Sequence, residues 1–198
     1  MMVFWRERLI FLATPKTAST AIESALAARA AISIVRPPQF KHATLQRVTR
    51  HLLPFMGETC GRGFEVTALM RAPCDWLGSW YRFRQRPEEV PEKTTRDLSF
   101  DQFVAAYCRP DQPEFAKVGA QANFLSNSGK SGLPLHIYRY EDMAGFVRFL
   151  ERRLNCSIDL PALNVSPAGD LTMSPANAAL LRSHAAADFE LYDAISPA

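Results

Sequence analysis

At 198 residues the chain is long enough for one ordinary hydrophobic core, and 47 % hydrophobic against 22 % charged residues is a globular balance. A net charge of +3 suits an anionic ligand but excludes the dense basic footprint of a nucleic-acid binder. No apolar run reaches the length of a membrane span, and the four scattered cysteines, Cys60, Cys74, Cys108 and Cys156, form no CxxC pair and predict reduced thiols.

In chain order, the apolar run 9–13 (Leu-Ile-Phe-Leu-Ala) predicts a buried strand that stops at Thr14-Pro15. Lys16-Thr17-Ala18-Ser19-Thr20 follow as a tight turn, and the pattern then predicts a helix over 21–30, with Ile22 and Leu26 on one face. A short strand over 32–35 ends at Arg36-Pro37-Pro38, and Lys41-His42-Ala43-Thr44 open a helical segment reaching about residue 53. Residues 54–63 read as a loop and 64–70 as a second buried strand. Pro73 suits a first helical turn, so 74–86 is a predicted helix, followed by a charged surface loop over 87–97. Ser99-x-x-Gln102 caps a helix running to Cys108, another helix covers 115–126, and 135–140 is a strand. An amphipathic helix spans 144–154, and Ser174-Pro175 begin the last one. Strands alternating with helices predict an α/β fold, a short parallel sheet flanked by helices, in one domain over 1–198.

Two places in this pattern suit anions. The first is the turn 15–20, Pro15, Lys16, Thr17, Ala18, Ser19 and Thr20, where a strand feeds a helix N-terminus: backbone N–H groups of the turn and first helical turn can point at an anion, the helix dipole adds partial positive charge, and Lys16 adds a full one. It is not the GxxxxGK[ST] loop, lacking both glycines and placing the Lys before the hydroxyls. The same residues also read as a plain capped turn, because Thr20-x-x-Glu23 fits a capping box. The second place is Arg71, at the C-terminal end of the 64–70 strand, with Ser79 about two helical turns further on; a guanidinium fork and a hydroxyl suit a phosphate monoester.

The turn PKTAST resembles the 5′-phosphosulfate loop of sulfotransferases that use 3′-phosphoadenosine 5′-phosphosulfate (PAPS), many of which carry Gly where Ala18 stands. With Ala there it is similar to the uronosyl 2-O-sulfotransferases of glycosaminoglycan synthesis. Arg71-x-Pro73 followed by Ser79-x-Tyr81 resembles the family's 3′-phosphate motif, with Ala72 in place of the Asp that often follows the Arg. Segments 137–142 and 188–192 resemble late fold-building stretches of bacterial members.

The resemblance implies a P-loop-like fold and transfer of a sulfuryl group from PAPS to an acceptor hydroxyl, on a carbohydrate, leaving 3′,5′-ADP and needing no metal. It places Lys16 at the departing sulfuryl group and His42 as the base that takes the acceptor proton, a role suited to imidazole. His51 is the rival base, while His136 and His184 read as structural. The Trp that stacks adenine in cytosolic members is replaced by Ala21. Golgi members carry a membrane anchor and no such segment is present here, so the expectation is a cytoplasmic enzyme with neither a membrane nor a nucleic-acid partner. Two alternatives stand: a P-loop-type kinase, disfavoured by the missing GK[ST] order, and a non-catalytic nucleotide- or partner-binding protein on a sulfotransferase fold.

Overall fold

The computed structural model describes residues 1–86, 88, 91–126, 133–161 and 169–196. Its chain divides into two compact units, Met1–Arg71 with Gln121–Asn164 and Ile195–Ala198, and Ala72–Ala120 with Val165–Ala194.

The first unit holds a five-stranded sheet of β1 (Met2–Phe4), β2 (Leu9–Leu12), β3 (Ile32–Ser33), β4 (Glu65–Met70) and β5 (Leu135–Arg139), in the order β3-β1-β2-β4-β5. Strands β2, β4 and β5 run parallel, with Leu12 opposite Ala68 and Met70 opposite Arg139. Their C-terminal ends therefore share one edge, where ligands bind in open α/β sheets. The sheet is mixed, not purely parallel as expected, because β1 pairs antiparallel with both β2 and β3. Three residues are too few to show a period, so β1 left no pattern to read. It is set by the turn 5–8, where Arg8 adopts φ +52° and stacks its guanidinium 4.3 Å from the Trp5 ring.

Strand β2 is buried throughout, as a central parallel strand must be. Leu9, Phe11 and Ala13, alternate residues on one face, pack with Ile22 and Leu26 of the helix Ser19–Leu26 and with Phe146, Phe149 and Leu150 of the helix Met143–Leu154. That core fixes the register of β2 and hence the position of the turn that follows it.

Several predicted boundaries change for local reasons. The stretch 54–63 is not a loop: Leu45–Arg47, a π turn over Val48–Leu52 and an α-helix over Leu53–Cys60 form one continuous run. Pro54 stands at the junction where the π turn passes into the α-helix, and Gly61 at φ +81° ends the run. His42 does not open this helix but closes the short one before it, Pro38–Lys41, and Thr44 is the cap of the next. The helix expected over 21–30 begins at Ser19 and ends at Leu26.

In the second unit, Trp76, Leu77 and Tyr81 of the helix Pro73–Phe83 pack with Phe100, Phe103, Val104 and Tyr107 of the helix Phe100–Tyr107, and with Leu181. Of the loop expected over 87–97, Pro87, Glu89 and Val90 lie outside the described residues, and Pro91–Lys93 form a 3₁₀ turn. The helix expected over 115–126 is two pieces, a 3₁₀ turn at Glu114–Ala116 and the helix Gln121–Leu125, separated by Gly119 at φ +79°. The last helix breaks at Ala185 into Pro175–His184 and Ala186–Asp193.

The Ser99 capping box is present: Gln102 N–H donates to Ser99 Oγ at 3.2 Å, and Ser99 N–H donates to Gln102 Oε1 at 2.8 Å. Ser99→Ala should therefore destabilise the fold by about 1 kcal/mol in urea titration, and Ser99→Thr by much less. Equal loss in both would mean that the hydroxyl cap contributes nothing.

Candidate functional site

The turn after β2 is built from small, tightly bonded residues. Thr14 N–H turns back to the Leu12 carbonyl at 3.0 Å, and Thr17 Oγ1 donates to the Thr14 carbonyl at 2.9 Å. Lys16 and Ala18 both lie in the left-handed region, at φ +66° and +57°. That conformation costs about 1–2 kcal/mol per residue with a Cβ, and glycine would relieve it at either position. Where left-handed residues alternate with right-handed ones, successive N–H groups turn to one side in a shape that takes anions. Strain of this kind collects at ligand clamps. Among the described residues, the N–H groups of Thr17, Ala18, Ser19 and Thr20 meet no acceptor.

The capping box read at Thr20-x-x-Glu23 does not form. Ala18, not Thr20, is the N-cap, and no side chain caps this helix. The Glu23 carboxylate is buried and turned elsewhere: Oε2 pairs with Lys41 Nζ at 2.8 Å, and Oε1 accepts from the Met1 nitrogen at 2.9 Å. Lys41 Nζ also donates to Thr20 Oγ1 at 3.1 Å, at the far end of the turn.

His42, the next residue, reaches the near end. Its Nδ1 lies 2.6 Å from the Ala13 carbonyl oxygen. A carbonyl only accepts, so Nδ1 carries the proton and Nε2 keeps its lone pair. Burial pushes the imidazole pKa below its ordinary 6.5, opposed by the Ala13 bond and reinforced by the Lys41 charge. His42 is therefore neutral at physiological pH, with Nε2 as the basic atom. The rival, His51, lies exposed in the π turn. His136 is engaged elsewhere, 2.8 Å from Glu65 Oε2, which Arg153 also meets at 3.0 Å; these contacts hold the Glu65 carboxyl below the usual range. His184 packs edge-on to Tyr107 at 5.3 Å.

Arg71 follows β4 at the same sheet edge. Its peptide is gripped from both sides by the buried side chain of Gln121, which accepts from Arg71 N–H at 2.9 Å and donates to Arg71 carbonyl at 2.8 Å. The guanidinium lies 4.5 Å from the Tyr140 ring centroid, and Nη1 stands 3.5 Å from the Lys16 carbonyl. Nε is buried without a partner among the described residues. The ring of Tyr140 and the clamp of Gln121 thus orient Arg71.

The first unit brings together Pro15, Lys16, Thr17, Ala18, Ser19, Thr20, His42 and Arg71. Ser79 belongs to the second unit, buried on the helix Pro73–Phe83. Sequence reasoning missed Glu23, Lys41 and Gln121 as parts of the arrangement; only Lys41 carried a signal, as the neighbour of His42. Among the described residues there is no group of three or more His, Cys, Asp or Glu side chains able to hold a metal ion, and no helix long and apolar enough to cross a membrane. Comparison with family models and with curated proteins finds no match to the chain.

Proposed function

We propose that the chain is a PAPS-dependent sulfotransferase with a P-loop-like fold, acting on a carbohydrate hydroxyl. The observation that carries this reading is the His42 imidazole, fixed in one tautomer by Ala13 at the mouth of a strained, N–H-lined turn that bears Lys16.

The partnerless N–H groups, the lysine and the Arg71 guanidinium, whose Nη1 stands 3.5 Å from the Lys16 carbonyl, fit a ligand with two anionic ends. Bound PAPS supplies an activated sulfuryl group whose bridging oxygen gains negative charge as the S–O bond breaks. Lys16 and the turn amides neutralise that charge, Arg71 holds the second phosphate, and His42 Nε2 accepts the proton from the acceptor hydroxyl as its oxygen bonds to sulfur. Placement and charge stabilisation carry the rate, as in phosphoryl transfer. The thiols Cys74, Cys108 and Cys156 are free, which suits a reducing, cytoplasmic setting.

The test is calorimetry with 3′,5′-ADP and 5′-AMP, followed by radiolabelled transfer from PAPS to a glycan panel. Loss of the 3′-phosphate should weaken binding roughly tenfold to 150-fold, the value of one charge-assisted contact of about 1.5–3 kcal/mol. Equal affinities would remove the nucleotide reading. Tight 3′,5′-ADP binding without transfer to any hydroxyl, water included, would favour a non-catalytic binding protein.

A further inference from the structure

We propose that Glu23 is the positioning residue for His42, acting through Lys41 to hold the imidazole at the turn. This rests on His42 being the base, as proposed above. The buried Glu23 carboxylate lies one helical turn beyond Thr20 and pairs with Lys41 Nζ at 2.8 Å. The same ammonium donates to Thr20 Oγ1 at 3.1 Å, so Lys41 is tied to the helix and to the end of the turn together. His42 is the adjoining residue, and its Nδ1 meets the Ala13 carbonyl at 2.6 Å, before the turn begins. The dipeptide Lys41-His42 therefore spans the turn from Thr20 to Ala13, with Glu23 as its anchor inside the core.

A buried carboxylate in a helix is costly unless paired, and replacing both members of such a pair by apolar residues is often neutral or stabilising. The pair is thus poorly explained as a source of stability. It fits a device that fixes one geometry: the cation cannot slide along an apolar face, so the backbone at 41–42 and the ring on it are held in register. The Met1 nitrogen fills the other carboxylate oxygen at 2.9 Å, leaving Glu23 no freedom to turn away.

The experiment compares wild type, Lys41→Arg and the double variant Glu23→Gln/Lys41→Met, which removes both charges of the pair and keeps at position 23 an amide oxygen able to accept from the Met1 nitrogen. Nitrogen–proton correlation spectra of the histidine rings, recorded well above the imidazole range, report the His42 tautomer without needing activity. We expect the Nδ1–H form in wild type and Lys41→Arg, and its loss in the double variant. Turnover of the double variant should fall about a hundredfold, as for an ångström-scale misplacement, while the dissociation constant for 3′,5′-ADP changes only a few-fold. A double variant that keeps the Nδ1–H signal, or loses it with full turnover, would overturn the proposal. If wild type transfers no sulfuryl group, the sulfotransferase reading fails, and loss of the tautomer signal in the double variant still supports Glu23 as the anchor of the imidazole.

Discussion

His42→Ala should lower turnover by about 10²–10⁴, the usual value of a general base, with 3′,5′-ADP affinity almost unchanged. The ring's proton sits on Nδ1 against Ala13, so only Nε2 can receive the acceptor proton, and no backbone N–H of the turn is lost with the side chain. The pH profile gives a second signature. Burial, aided by the nearby Lys41 charge, depresses the His42 pKa below 6.5. The base is then neutral and competent above that lowered value, and the acid limb of turnover lies on the acid side of ordinary imidazole. The same shift has a stability counterpart. Between the lowered value and 6.5 the unfolded chain binds the extra proton, so stability falls as pH drops through that window, and His42→Ala removes that part of the dependence. His51→Ala, on the exposed π turn, should stay within a few-fold of wild type. A fully active His42→Ala rejects the assignment, and an inactive but folded His51→Ala moves it to His51.

What could be read in the sequence was whatever leaves a local pattern. The run 9–13 announced β2 because a strand buried on both faces is continuously apolar, and Ser99-x-x-Gln102 announced its helix because both halves of the cap lie within one turn. The turn 15–20 was legible as a strand-to-helix junction because strand, small residues and helix adjoin in the chain. What failed was non-local. Glu23 fits a capping box by spacing, yet its carboxylate prefers a buried partner eighteen residues on, and spacing within a helix carries no trace of that. Gln121 grips the Arg71 peptide across |i−j| = 50, with nothing near it to mark the role. Pro54 looked like a breaker, because nothing in the local sequence marks the π turn that passes into the helix there.

Lys16→Ala should lower turnover by about 10²–10³, the usual cost of one preorganised charge-stabilising donor, and should weaken 3′,5′-ADP binding by less. The substitution is clean in backbone terms. Lys16 holds φ +66°, and the clash that disfavours this conformation comes from Cβ, which Ala retains. Ala18, two residues on, already occupies the same region at φ +57°. The contact that Arg71 makes with position 16 is to the carbonyl at 3.5 Å, so it too survives. What disappears is the positive charge that the turn carries, and its value is greatest where charge develops as a bond breaks. Turnover is therefore expected to fall further than affinity, because product binding involves a settled charge that the N–H groups of 17–20 continue to meet. Lys16→Arg, with its charge kept on a differently shaped group, should recover part of the rate. The decisive measurement is single-turnover transfer with the Lys16→Ala protein saturated by PAPS. A normal rate there would reduce the turn to a structural link between β2 and its helix, and with it the sulfotransferase reading would fall.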